Sequence, residues 1–198
     1  MDMKYVGAAG VLLVTALSVA AFKDKIFPAQ MPQSTITQAQ AQPVSQTISL
    51  QQQFVRVVET TKRSYIDSRG NSMGVLPDRA AQICSLGFPL AHIVDWTGVL
   101  RAAGTTSNNM AYVRIEIAPG VHVATRSTYV TDIIDDSLIP VGSTIANNVA
   151  GLRLGSRVRF SGIFVPDNKD CIRESSITND SAIRNPTFIT RFMSITRE

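Results

Sequence analysis

The chain has 198 residues, of which 44% are hydrophobic and 17% are charged, and its formal net charge is +4. This composition is typical of a protein with a folded core and excludes a fibrous or fully disordered chain. Residues 95–198 carry 11 basic and 10 acidic residues, so the positive charge is not concentrated there. Since nucleic-acid binding needs a concentrated basic face, the composition gives no support for it.

An apolar segment near the N-terminus runs from Tyr5 to Phe22, 18 residues without a charge, and charged residues follow it at 23–25. As a helix rising ~1.5 Å per residue it would be about 27 Å long, close to the ~30 Å hydrocarbon core of a bilayer. Residues 1–25 are therefore predicted to form a transmembrane anchor. The alternative is a cleaved signal peptide, because small residues around Ser18 and Ala20 loosely fit a cleavage site. The length of the segment favours the anchor.

Residues 26–48 are rich in Gln, Pro, Ser, Thr and Ala and contain no charged residue. Such a segment has too few large apolar side chains to form a core. We expect an extended, disordered linker that holds a folded domain away from the bilayer.

A helix is predicted to begin after Ser49, because Ser49 and Gln52 form an S-x-x-Q capping box. Apolar residues that include Phe54 and Tyr65 then recur at helical spacing. This apolar face either docks on the domain of the same chain or makes the 49–66 helix an arm that binds a partner or a second copy. A homo-oligomer through this helix is thus one expectation.

A second helix is predicted over residues 78–86, with Asp78 as its N-cap and Gly87 as its stop. The two helices together form the predicted N-terminal arm, residues 49–93.

From residue 94 the apolar residues alternate with polar ones, which indicates β-strands. Turn signals separate the alternating segments, and the interior glycine of the fourth, Gly162, predicts a bulge. Ser143 is predicted to cap a short helix that ends at Gly155. The remaining segments, 129–140 and 168–185, are predicted to be irregular connections. The five strands are predicted at residues 94–102, 111–118, 121–125, 157–165 and 187–197.

Five strands with a helix between the third and the fourth are typical of one kind of small barrel. Trp96-x-Gly98 opens the first strand, and Leu152-x-x-Gly155-x-x-Val158 leads into the fourth. In this order and spacing, residues 94–198 resemble an OB-fold domain. The fold class is thus expected to be mainly β with α: a transmembrane helix, a helical arm and an OB-like barrel. The whole chain also resembles uncharacterised membrane-anchored bacterial proteins, a resemblance that implies no activity.

Four residues are candidates for binding a ligand. Nucleic-acid-binding OB domains combine aromatic and basic residues on strands two and three, and here that surface offers Tyr112 and Arg114 beside Glu116. Arg157 and Arg159 share one face of the fourth strand. We expect these arginines to contact an anionic ligand, a glycan or an acidic partner surface. The alternative is a solvated barrel wall, and Glu116 makes the tyrosine surface a poor platform for stacking bases.

If the fourth and fifth strands pair, Arg191 and Arg197 extend the two arginines of the fourth strand into a small basic stripe.

The two cysteines, Cys84 and Cys171, lie in no C-x-x-C motif. Two readings remain open for them. They form one disulfide, as suits an oxidising compartment beyond a membrane segment, or they are two buried free thiols.

No catalytic motif is present: the sequence contains no P-loop, no G-x-S-x-G and no G-x-G-x-x-G. Around Asp132 the spacing D-x-D-x-D-G of a calcium loop is absent, so the acidic residues there are expected to cap and solvate a loop. An enzyme would require His92 or His122 to meet Glu174 or the Asp132 cluster. We therefore expect no enzyme, no metal and no cofactor.

The expected function is that of a membrane-anchored binding or scaffold module of the bacterial cell envelope. Its partners would be the lipid bilayer and another envelope protein, not nucleic acid. The basic residues that flank the anchor, Lys4 on one side and Lys23 and Lys25 on the other, are nearly balanced. The linker and the cysteine pair favour an inner-membrane protein with a periplasmic domain. The alternative is a single-stranded nucleic-acid-binding protein tethered on the cytoplasmic side.

Overall fold

The computed structural model of the protein describes residues 48–88, 92–168 and 170–198. The predicted anchor at residues 1–25 and nearly all of the predicted linker at 26–48 lie outside these residues. Within the described residues no helix is both long and apolar enough to cross a membrane.

The described chain is mainly β with α, as predicted. Its helices are α1 (Leu50–Asp67), α2 (Val75–Ser85), α3 (Tyr129–Asp132), α4 (Thr144–Ala150) and α5 (Asn179–Arg184). Its strands are β1 (His92–Thr105), β2 (Met110–Ala118), β3 (Val121–Ala124), β4 (Ile139–Pro140), β5 (Arg157–Phe164), β6 (Pro166–Asp167), β7 (Cys171–Ile172) and β8 (Thr187–Arg197).

Five of these strands close into a barrel in the order β1-β5-β8-β3-β2, with β2 pairing back to β1. The pairs are antiparallel except β3 with β8, which is parallel. Closure depends on the length of β1: residues 92–99 pair with β5, and residues 99–105 pair with β2. Helix α4 lies between the third and fourth barrel strands, as predicted. The barrel is compatible with an OB-like fold.

The strand predictions are confirmed within a few residues, and β8 has the predicted bounds. Gly162 lies at a register shift between β5 and β8, which confirms the bulge. Strand β1 begins at His92 and therefore extends into the predicted arm.

Three details of the helices and connections were wrong. Helix α2 begins three residues before Asp78, because Gly74, with φ of +84°, serves as its N-cap. Helix α4 ends at Ala150 with Gly151 as its C-cap, not at Gly155. The predicted irregular connections contain the short elements α3, β4, β7 and α5.

Helix α1 is not a separate arm, because its apolar face forms part of the barrel core. The capping box of Ser49 and Gln52 is present, as predicted. Phe54 is 0% exposed, and the centroid of its ring lies 5.0 Å from that of Phe188, 5.2 Å from that of Phe164 and 5.6 Å from that of Trp96. These aromatic residues come from the helix and from three barrel strands, so folding of the barrel and docking of α1 depend on each other.

Polar contacts fix α1 at both ends. Near its start the Gln51 side chain bonds the backbone of Thr97. Near its end Tyr65 Oη donates a hydrogen bond to Asp180 at 3.0 Å. The alternative in which the 49–66 helix docks on its own domain therefore describes the structure, and any oligomer through this helix has to use its outer face.

Gly98 gives a test of how closely β1 and β2 approach. A Cβ atom at this position would lie 2.6 Å from the Glu116 carbonyl oxygen. We expect Gly98→Ala to lower the free energy of unfolding by about 1–3 kcal/mol in urea denaturation, because a packed strand pair has to separate. Gly151→Ala is the matched control, since a Cβ atom there would meet its nearest neighbour at an ordinary 3.5 Å. Equal stability of the two variants would contradict the close approach.

Candidate functional site

The outer face of the barrel carries a continuous groove between α1 and strands β1 and β2. It consists of two depressions of about 510 and 360 Å³ that share Thr97 and Ile117. We call this surface the outer-wall groove. The residues that line it with polar or charged side chains are Ser49, Gln51, Gln52, Arg56, Asp95, Thr97, Arg101, Glu116 and Arg157.

Thr97, which both depressions share, lies where β1 changes its pairing partner. At Thr97 the strand is paired with β5, and β2 has not yet joined it on the other side. Gln51 fills this gap: its Nε2 donates to Thr97 O at 2.7 Å, and its Oε1 accepts from Thr97 N at 3.0 Å. A side-chain amide thus satisfies a strand edge that would otherwise be open. Gly98, the next residue, adds no side chain to this part of the groove.

The charges along the groove are mixed. Arg101 forms an ion pair with Glu116, whose other oxygen accepts from Gly120 N at 3.0 Å. The Gly120 N–H and then Arg101 lower the pKa of Glu116 below its usual value. Arg157 Nε donates to Glu198 at 2.7 Å. Two of the groove's arginines are therefore already paired with carboxylates, which disfavours a strong polyanion site.

The four predicted ligand-binding residues do not form one site. Arg157 lines the outer-wall groove, and Arg159 follows it on the same exposed face of β5, opposite Thr97. Arg114 is exposed on β2 opposite Ala124 of β3. Tyr112 lies further along β2, opposite Gly104.

The Tyr112 ring covers Gly104, since a Cβ atom on this glycine would lie 2.5 Å from Tyr112 Oη. Aromatic cover of this kind compensates for a glycine in a strand. A ring that lies over the neighbouring strand is poorly placed to stack on a base, which needs a free face.

The predicted basic stripe is only partly assembled. Strands β5 and β8 do pair, but Arg191 is opposite Ile163, four positions beyond Arg159 on β5. Arg191 Nε donates to the Asp135 carbonyl at 2.7 Å. Arg197 is opposite Val158, whose side chain is buried in the core. The register therefore separates Arg191 from Arg157 and Arg159 along the strands, and it pairs Arg197 with an inward-facing residue between them.

Two contacts attach α2 to the C-terminal part of the barrel: a disulfide to β7 and an ion pair next to β8. Cys84 and Cys171 form a disulfide with Cα atoms 5.6 Å apart, which links α2 to β7. Nearby, the buried Arg79 pairs with Glu174 and lies 5.4 Å from the centroid of the Phe188 ring. Sequence reasoning considered Glu174 only as a partner for a histidine, because the ion pair joins residues far apart in the chain.

The acidic residues at 132–136 have structural roles. The Asp132 carboxylate accepts from Ser137 N at 2.7 Å and from Leu138 N at 3.0 Å. Asp135 is 1% exposed and forms ion pairs with Arg126 and Arg173. These bonds agree with the predicted capping role, but the burial of Asp132 and Asp135 contradicts the predicted solvation. Among the described residues no cluster of potential metal ligands occurs.

Helix α3 and the two residues that follow it, Ile133 and Ile134, expose four large apolar side chains next to these carboxylates. Their exposed fractions are 52% for Tyr129, 77% for Val130, 67% for Ile133 and 78% for Ile134. We call these four residues the α3 ledge. The sequence analysis did not predict this exposed apolar surface, because it interpreted the segment only through its three aspartates. Two pairs of apolar residues, Tyr129-Val130 and Ile133-Ile134, flank Asp132. They could have predicted the exposed surface, because so short a segment cannot bury both pairs in the core.

Comparison with known proteins gives no match to a family model, and no curated protein or solved structure is significantly similar to the chain. The candidate sites are therefore argued from their own geometry.

The Arg79–Glu174 pair is expected to be a strong determinant of stability. Its side chains are only 4% and 10% exposed. Glu174→Gln should lower the free energy of unfolding by about 3–5 kcal/mol, because it leaves a buried guanidinium without its counter-charge. The double variant Arg79→Met/Glu174→Gln removes both charges and should recover part of that loss.

The control for this pair is Arg157→Met, since Arg157 pairs with Glu198 at the surface with 66% of its side chain exposed. Its effect should stay below about 1 kcal/mol. A double variant no more stable than Glu174→Gln in chemical denaturation would contradict the role of the uncompensated charge.

His122 is expected to make stability depend on pH. Its half-burial, followed by the charge of Arg114, lowers its pKa from 6.5, and Glu116 opposes this. Because the folded state binds the proton less readily than the unfolded state, stability is retained above pH 6.5 and decreases as the pH falls below it. His122→Gln should flatten the dependence of the melting temperature between pH 7 and about 5.5. The exposed His92→Gln is the control, and an unchanged slope in His122→Gln would refute the role of His122.

Proposed function

We propose that this protein is a membrane-anchored binding or scaffold module of the bacterial cell envelope. Its barrel, of the OB type, engages a protein partner through the outer-wall groove. The apolar segment 5–22 serves as a single anchor in the inner membrane, and the barrel lies in the periplasm.

The disulfide between Cys84 and Cys171 carries the argument for the compartment. Such bonds persist in oxidising environments and are rare in the bacterial cytoplasm. The two cysteines are separated by 87 residues. In the chain-entropy model a loop of this length stabilises the fold by about 4–5 kcal/mol.

The outer-wall groove favours a protein partner over other ligands. It is open, it contains both signs of charge, and residues of β1 line both of its depressions. Small-molecule sites are more enclosed and more apolar. The polar side chains Gln51, Arg56 and Asp95 are arranged around Thr97 and Ile117, which gives the mixed surface that a polar protein interface uses.

The nucleic-acid alternative lacks a supporting observation in the described residues. Tyr112 covers Gly104, and two of the arginines that line the groove, Arg101 and Arg157, pair with Glu116 and Glu198. Salt-sensitive binding of oligonucleotides by the purified chain would nevertheless overturn the proposal in favour of that alternative.

The decisive experiment is labelling of the full chain in intact cells with a membrane-impermeant thiol reagent, before and after reduction. We expect labelling of Cys84 and Cys171 only after a dithiol reductant is added, because both are oxidised and outside the inner membrane. Labelling without reductant but only after lysis would place free thiols in the cytoplasm and overturn the proposal. Retention in the membrane pellet at alkaline pH tests the anchor independently.

A further inference from the structure

We propose that the α3 ledge inserts into the interface of the bilayer to which the chain is anchored. It would be a second membrane contact that orients the barrel. This inference rests on the proposed membrane anchor and adds the part of the barrel that faces the lipid.

The ledge has the chemistry of an interfacial contact. Three aliphatic side chains and one tyrosine project from six consecutive residues, and all are more than half exposed. Tyrosine is enriched where an apolar phase meets water. Between Ser127 and Ile134 the only charged residue is Asp132, and its carboxylate is turned inward onto Ser137 and Leu138. Within the ledge itself no charge therefore has to be desolvated, and the nearest exposed charge along the chain is Asp136, two residues after Ile134.

Hydrogen bonds and ion pairs to the rest of the domain also hold the backbone of the α3 ledge in place. Thr128 caps α3, and Asp135 pairs with Arg126 and Arg173 beneath it. Arg191 of the barrel donates to the Asp135 carbonyl at 2.7 Å. Because the scaffold fixes these residues, they cannot fold inward to bury their apolar side chains, and little ordering is required on insertion.

The base of the ledge and the point where the described chain begins lie at the same register level of the barrel, two strands apart. Ser49, at the start of α1, lines one depression together with His92. His92 is opposite Ile163 on β5, and Ile163 is opposite Arg191 on β8. Two strand spacings thus separate His92 from Arg191, about 10 Å. Arg191 in turn contacts the base of the ledge.

The linker keeps the barrel near the bilayer. Residues 26–48 number 23, and whatever their conformation they cannot span more than about 80 Å. Tethering by a segment of this length gives an effective concentration in the millimolar range, so a weak apolar contact is sufficient. Val94 and Ile48, both exposed, lie beside the entry point and add apolar surface there.

The test uses the full chain reconstituted into phosphatidylcholine vesicles, with an environment-sensitive fluorophore on an introduced cysteine. The native cysteines are paired in the disulfide and leave the new thiol as the labelling site. Val130→Cys places the probe on the ledge, and Met73→Cys, 87% exposed between α1 and α2, is the matched control. We expect brominated lipids to quench the probe at residue 130 at least threefold more than the probe at residue 73.

Insertion of the ledge should also depend on its apolar residues and not on charge. Adding Ile133→Ser and Ile134→Ser to Val130→Cys should abolish the difference in quenching. Anionic lipid or high salt should leave the difference unchanged, since the ledge has no exposed basic residue. Quenching that appears only with anionic lipid would overturn the proposal.

The outcomes separate the two claims. If the chain remains with the vesicles at alkaline pH and the probe at residue 130 is quenched no more than that at residue 73, the anchor stands and the lipid contact of the ledge is refuted. In that case a protein partner is the remaining occupant. If the chain is released from the vesicles, the proposed function and the lipid contact both fail.

Discussion

The fold depends on the insertion of the Phe54 ring among the aromatic residues of the barrel. This ring belongs to α1, a helix outside the five-stranded barrel, yet it is as deeply buried as the rings of Phe164 and Phe188. Without it the space between these rings would be empty, and an empty site of that size destabilises a core by several kcal/mol. The barrel and α1 therefore form one cooperative unit. The outer-wall groove exists because α1 is seated there and because Gln51 closes the open edge of β1.

Local sequence patterns predicted most of the barrel. Alternation located the five strands, and Ser143 marked the start of α4, because these features depend on side chains within a few residues of one another. Gly162 indicated the bulge for the same reason, since an interior glycine reports on local backbone geometry. The predicted start of β1, residue 94, lies two residues after the observed start at His92, because the burial of β1 begins at Ile93 and depends on pairing with β5, not on the alternation within β1.

The candidate sites were predicted less well, since they arise from contacts between distant parts of the chain. Arg157 and Arg159 were correctly assigned to one face of a strand, but no local pattern could show that Glu198 pairs with the first of them. Tyr112 was considered as a ligand-binding residue from its place on the second strand, but no local pattern could show that its ring lies over Gly104. The acidic residues were understood as caps, yet the ledge that they support was missed, because burial of Asp132 and exposure of Ile133 are decided by tertiary contacts.

If the chain is exported as proposed, the linkage between α2 and β7 constrains how it reaches its folded state. A chain that crosses a membrane from its N-terminus delivers Cys84 long before Cys171, so the first thiol has to wait for most of the barrel sequence to arrive. Because the sequence contains only these two cysteines, no incorrect intramolecular pairing competes with the correct one. Maturation would thus require an oxidant but no disulfide isomerase.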